Sequence, residues 1–266
     1  MIVQLNNRVL LKLTGKDVQT FLQGQFSNDI DALEEGVVQV NAYCQHQGKI
    51  IALIWMMKQA EDFYLSFPDD LKTIVVQKLT MFKMMSAVEI IDVSDKIIQL
   101  GVIDGSFEGA FRLNKQQSVA LVESVDGVEL GNESEWESAC IANNIAEVTL
   151  ATSEKFVPQL LNLDINEVGV SFTKGCYPGQ EVVARLHYLG KSKRRMRQFE
   201  CEGEVDVGDE LVVVGSKSAK ASGIVVRRVK LGAKSSFLAT VEVAYEDDKI
   251  TLNDADGIEL TRVVHG

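Results

Sequence analysis

Apolar positions along this chain recur with a period of two in some stretches and near 3.6 in others, and the changes of period mark its elements. "RVLLKL" (8–13) reads as a strand. In "TGKDVQTFLQGQF", Val18, Phe21 and Leu22 share one helical face behind Thr14 and Asp17, which are spaced as a capping box. "VVQVNAY" (37–43), "IIALIWMM" (50–57) and "FYLSF" (63–67) read as successive strands, the first two parted by the turn "QHQGK". After Pro68, Leu71, Ile74, Val75, Leu79 and Phe82 stand at helical spacing, and two aspartates suit the positive end of the helix. "AVEIIDV" (87–93) is a further strand. This order predicts an α+β fold, with helices on one face of a largely antiparallel sheet.

The alternation continues more weakly to about residue 150, with strands expected near 97–103 and 118–123. A short helix is expected in "NESEWESACIANN", with Ser134 as N-cap and Trp136 four residues before Cys140 on one face. From Met196 the pattern shifts to short apolar runs separated by glycine, aspartate and serine, which predicts a small all-β lobe, a barrel. The expected division is 1–94 for a first α+β unit, 95–195 for a second, and 196–266 for the barrel.

Composition narrows the function classes. A chain of 266 residues buries about three quarters of its surface on folding, enough for two or three lobes. A net charge of −11 argues against a general polyanion binder, so any contact with RNA must be local. Cys44, Cys140, Cys176 and Cys201 show no C-x-x-C spacing, and His46, His187 and His265 stand far apart, so no metal site is legible. The start "MIVQLNNRVLLKL" lacks the pattern of a signal peptide, and the longest apolar run is too short to span a bilayer. A cytoplasmic protein with free thiols and no membrane association is expected.

The stretch "SFTKGCYPGQEVVARLHYLGKSKRR" (171–195) concentrates the candidate chemistry. Gly175 and Gly179 flank "CYP", which suggests a tight loop carrying Cys176, and Lys174 is positioned to favour a thiolate. On composition alone, Cys176 reads either as a reactive thiol or as one more small apolar residue.

"FVPQLLNLDINEVGVSFTKGCYPGQEVVAR" resembles the signature of the YgfZ group, within the folate-binding family that includes the glycine cleavage T-protein. The hallmark K-G-C-[FY]-x-G-Q-E is matched by Lys174, Gly175, Cys176, Tyr177, Gly179, Gln180 and Glu181. "LTGKDVQTFLQGQFSNDI" resembles the family's early segment at Gly15, Asp17, Phe21 to Gln25, Asn28 and Asp29, and "CQHQGKII" its glycine turn. The resemblance implies linked ferredoxin-like α+β units around a central cavity, plus a C-terminal barrel. It further implies tetrahydrofolate binding, support of iron–sulfur cluster assembly or maintenance, and tRNA modification that depends on iron–sulfur enzymes. Cys176 is then the functional thiol, and iron–sulfur client or assembly proteins are the expected partners.

Departures from the family weigh on the activity. T-proteins carry a carboxylate just after the glycine turn to activate the folate nitrogen, where this chain has Ala52 and Leu53. Efficient aminomethyl transfer is therefore not expected, since a positioned proton-transfer group contributes about 10²–10⁴-fold. A folate-dependent transferase and a non-catalytic RNA or client-binding module are the alternatives. Where the family offers a pterin-binding glutamate, this chain has Ala142. Trp136 reads as a stacking partner for a pterin or as a core anchor. Tyr177 and Arg185 are further expected folate contacts. Arg185, Lys191, Lys193, Arg194, Arg195 and Arg197 read as receivers of a folate tail or RNA phosphate, or as the solvated side of a strand. Gln180 and Glu181 orient the thiol or stitch its loop. Asn28 is carried as an expected folate contact, though with Asp29 its residue type favours a turn cap.

Overall fold

The computed structural model describes residues 1–215 and 221–264, so His265 lies outside the described residues. The chain opens with β1 (Ile2–Gln4) and β2 (Arg8–Thr14), then α1 (Val18–Gln23), β3 (Gln39–Cys44), β4 (Ile50–Gln59) and β5 (Asp62–Pro68). After a 3-10 turn over Asp69–Leu71 come α2 (Lys72–Phe82) and β6 (Glu89–Asp92). β2 to β6 form one antiparallel sheet in the order β3-β4-β5-β2-β6. β4 is buried from Ile50 to Met57, which accounts for its unbroken apolar run. Trp55 and Met57 face a second core, while the rest of that run packs with α1, α2 and the first core.

The second sheet takes β7 (Ile98–Ile103), β8 (Phe111–Arg112) and β9 (Gln117–Val122) in the order β1-β7-β9-β8. The first strand of the chain therefore belongs to this sheet, its Val3 opposite Gly101. α3 (Glu133–Ala142) closes the layer. Its N-cap is Asn132, which accepts from the Ser134 amide while Glu135 accepts from the Asn132 amide; the capping box begins two residues before the expected Ser134. At α1 the expected Thr14/Asp17 box does not form. Asp17 instead accepts from the Ala87 amide, so its carboxylate ties the helix start to the strand leading into β6.

α4 (Gln180–Leu189) precedes the barrel strands β10 (Arg194–Glu202), β11 (Glu210–Val213), β12 (Gly223–Leu231), β13 (Lys234–Glu242), β14 (Ile250–Leu252) and β15 (Glu259–Val263). These close as β10-β13-β12-β11-β14-β15, with β15 paired back to β10. Phe199, Phe237 and Val225 are among the side chains filling the interior. Two buried arginines hold the units together. Arg8 pairs with Glu147 and lies 3.8 Å over the Trp55 ring, while Arg227 of β12 makes a two-point contact with Glu137 of α3 at 2.7 and 2.8 Å.

Candidate functional site

The cysteine loop is built around one buried ammonium. Lys174 Nζ donates to the carbonyl oxygens of Gln23, Phe26 and Asn28, each at 2.7 Å. That engages all three of its protons and locks the loop onto the segment following α1. The expected role beside the Cys176 thiol is thus corrected: Lys174 spends its hydrogen bonds on the backbone. Burial pulls its pKa down to about 8, against the opposing pull of Asp29 and Asp31. Tyr177 is buried next, its ring 5.6 Å from the Lys174 ammonium, and burial pushes its phenol up.

Gly179 ends the loop with φ +83°, and a Cβ there would lie 2.5 Å from the Gln45 carbonyl oxygen and 2.7 Å from Gly48 Cα. Only glycine lets the 45–48 turn come this close. Gly175 has open space around it, so the two glycines differ in kind. Between these anchors Cys176 is exposed. All four cysteines lie within the described residues, and the other three are buried, with Cys44 pushed up to about 12 and Cys140 to about 11 by burial.

Gln180 and Glu181 form the first turn of α4, with Glu181 exposed. Arg185 is exposed on the same helix, so the cations from 185 to 197 are divided between a helix and β10 rather than lying along one strand. Arg194 pairs with Glu242, Arg197 with Glu246, and Arg195 makes two contacts with Asp164 at 2.5 and 3.0 Å. Asn28 is buried and spans Val40 and Val168, donating to both carbonyls. Trp136 is 1% exposed, edge-on to Trp55 at 6.1 Å, and its indole fills the space where a Cβ on Gly101 would sit. Those surroundings make it a core anchor, packed on Trp55 and Gly101.

A cavity of about 630 Å³ opens where the two α+β units meet the barrel. Its walls come from the segment just after α3 (Asn143–Ala146), the 161–168 segment, Val40 of β3, Met196–Gln198 of β10 and Arg262–Val263 of β15. Asn144, Asn162 and Asn166 on its rim have φ of +54°, +61° and +53°, a conformation asparagine tolerates better than most residues. Asn162 donates to the Met196 carbonyl, but its Oδ1 is buried without a partner. Arg262 Nε is likewise buried and unpartnered, although the same guanidinium contacts Glu246 and Asp247. None of Lys174 to Glu181 lines this cavity. Asn162 and Arg262 are the polar groups that sequence reasoning missed. Their only signal is the repeated asparagine in "LLNLDIN", because barrel closure alone brings Arg262 to the site.

Among the described residues, no cluster of three or more metal-ligating side chains occurs, and no helix is long and apolar enough to cross a membrane. No family model matches the chain. An uncharacterized protein of Haemophilus influenzae is 32% identical over 238 residues, covering 86% of this chain and 84% of its own length. The tRNA-modifying protein YgfZ of Hamiltonella defensa is 26% identical over 288 residues, covering 90% and 82%. YgfZ of Colwellia psychrerythraea is 25% identical over 229 residues, covering 73% and 70%. The crystal structure of the glycine cleavage system aminomethyltransferase T from Bartonella henselae superposes with a TM-score of 0.71 over 99% of this chain and 84% of that one, at 12% identity, a likeness of fold alone. Three antiparallel assemblies in this order, the cysteine octapeptide and these relatives agree, and the chain belongs to the YgfZ-like family built on the T-protein fold.

Proposed function

We propose that this protein acts in tRNA modification, as its YgfZ relatives are named for doing, and that it does so by binding tetrahydrofolate and supporting iron–sulfur enzymes, with Cys176 as the working thiol. The observation that carries the reading is the construction around Cys176. A packing cysteine needs only volume, whereas this one is exposed on a loop held by a buried lysine at one end and an obligatory glycine at the other. A thiol in that position is available as a nucleophile or ligand for a partner's chemistry.

The cavity residues fit a folate. The volume falls in the usual range for small-molecule sites, and the walls are mainly apolar with a few convergent polar atoms. The orphaned Asn162 Oδ1 suits an amino donor of a pterin, and Arg262 Nε suits a carbonyl or carboxylate acceptor. When bound, tetrahydrofolate supplies a carrier for one-carbon units. The protein's own part is to orient it through these two groups and to exclude water from its ring. Transfer by the T-protein route lacks its carboxylate: Ala52 and Leu53 are buried in the middle of β4.

Complementation of iron–sulfur-dependent tRNA modification in cells lacking the endogenous protein tests the reading, paired with calorimetric titration of tetrahydrofolate. Cys176→Ser is expected to keep its melting temperature and folate affinity and to fail to complement. Full complementation by that variant would return Cys176 to a structural role. Absence of binding up to millimolar folate, equivalent to about −4 kcal/mol, would remove the folate part of the proposal.

A further inference from the structure

We propose that the outer edge of α4 and the chain just after it form a docking strip for single-stranded RNA. This deepens the tRNA reading and rests on it. The cations of residues 185–197 fall into two groups. Arg194, Arg195 and Arg197 are each paired with a carboxylate and hold β10 in place. Arg185, Lys191 and Lys193 form no ion pair or side-chain hydrogen bond with any described residue. In a chain of net charge −11, three uncommitted cations within nine positions make a local positive surface.

Aromatic rings stand among them. His187 stacks on Phe172 at 3.7 Å with an interplanar angle of 20°, and Tyr188 stands edge-on to both at 4.8 and 6.0 Å. Tyr188 is 65% exposed although it is a large ring, and the rings behind it hold it in place. Arg185 precedes Tyr188 by three residues and so shares its side of the helix. A groove of about 480 Å³ opens beside the strip, walled by His187 and Lys191. A held, exposed ring flanked by free cations suits an unpaired base stacked on the ring with its phosphates on the lysines, and it suits a duplex poorly because duplex bases are already stacked. α4 is ten residues, about 15 Å, long, and its other end follows directly from the Cys176 loop. A strand lying along it runs toward the thiol.

Fluorescence anisotropy of a labelled single-stranded RNA of mixed sequence, titrated with the full chain at several salt concentrations, tests the strip. Tyr188→Ala is expected to weaken binding about fivefold or more. Lys191→Ala with Lys193→Ala is expected to lower the slope of log affinity against log salt by about 0.7 per lysine, with Lys115→Ala as an unaffected control. Equal binding by wild type and these variants, equal affinity for the strand in duplex form, or no RNA binding by the wild type would each overturn the proposal. A photo-crosslinking residue at position 189 is expected to yield a nuclease-sensitive adduct in cells, and a purely polypeptide adduct would overturn it as well. Complementation by the Cys176 variant is a separate readout, so failure of the strip and failure of the thiol reading are distinguishable.

Discussion

The cysteine loop and the central cavity are built on opposite principles. In the loop the polar anchor is satisfied: the Lys174 ammonium has three carbonyls and the backbone at Gly179 is seated against the 45–48 turn, yet the Cys176 side chain faces solvent. In the cavity the polar atoms that matter are buried and left unpaired. A buried polar atom without a partner costs about 1–3 kcal/mol, a cost a bound ligand offsets by supplying the missing hydrogen bond. On the proposed reading, the loop presents a group and the cavity receives one.

The sharpest way to break that contrast is to remove the anchor of the loop. Lys174→Met keeps much of the side-chain volume but strands three buried carbonyls, so we expect a loss of about 3 kcal/mol of stability together with loss of complementation, while folate affinity is retained. The pH dependence has a definite sign. Burial sets the folded pKa of Lys174 near 8, below the value of about 10.4 for an unfolded lysine, so the unfolded chain binds more protons between those limits. Wild-type stability relative to Lys174→Met should therefore rise from about pH 8 to about pH 10.4 and be flat below. Thermal melts of both proteins across that range check it; a difference that stays flat to about pH 10.4 and falls above it would mean that the carbonyl cradle outweighs burial in setting the charge state.

The two glycines of the loop sharpen the contrast further. Gly179→Ala forces a Cβ against the Gln45 carbonyl at positive φ and should cost about 1–3 kcal/mol, displacing the turn or the helix start. Gly175→Ala meets open space and should be close to neutral. Chemical denaturation of the pair measures the difference, and equal losses would show that the loop is not pinned at Gly179.

The loop was legible in its own residues, whereas the cavity was expected from the resemblance alone and its polar lining was not legible, for a physical reason. Cys176, Lys174 and Gly179 are neighbours along the chain, so their spacing survives in one dimension. Asn162 and Arg262 are a hundred residues apart and meet because β15 closes the barrel onto β10. Most strands were readable because period-two patterning and apolar runs report burial directly. β1 was missed because three residues carry too little pattern, and α4 because only Val183 along it is buried. Trp136 illustrates the remaining ambiguity: an indole near a helix start looks the same in sequence whether it faces a ligand or, as here, a glycine on β7.

The smallest expected effect bears on the receiving side. Asn162 sits at φ +61°, so Asn162→Ala would mix backbone strain with loss of the amide, whereas Asn162→Gly removes the amide and keeps the left-handed backbone accessible. The lost bond to the Met196 carbonyl costs about 1 kcal/mol of stability, which the melting temperature reports. Separately, loss of Oδ1 removes one hydrogen bond to the ligand, so tetrahydrofolate affinity should fall by up to about tenfold. Complementation should persist wherever cellular folate still saturates the weakened site. If titration calorimetry finds Asn162→Gly binding folate as tightly as the wild type, then the orphaned amide is not a ligand contact, and the folate must lie elsewhere in the cavity or outside it.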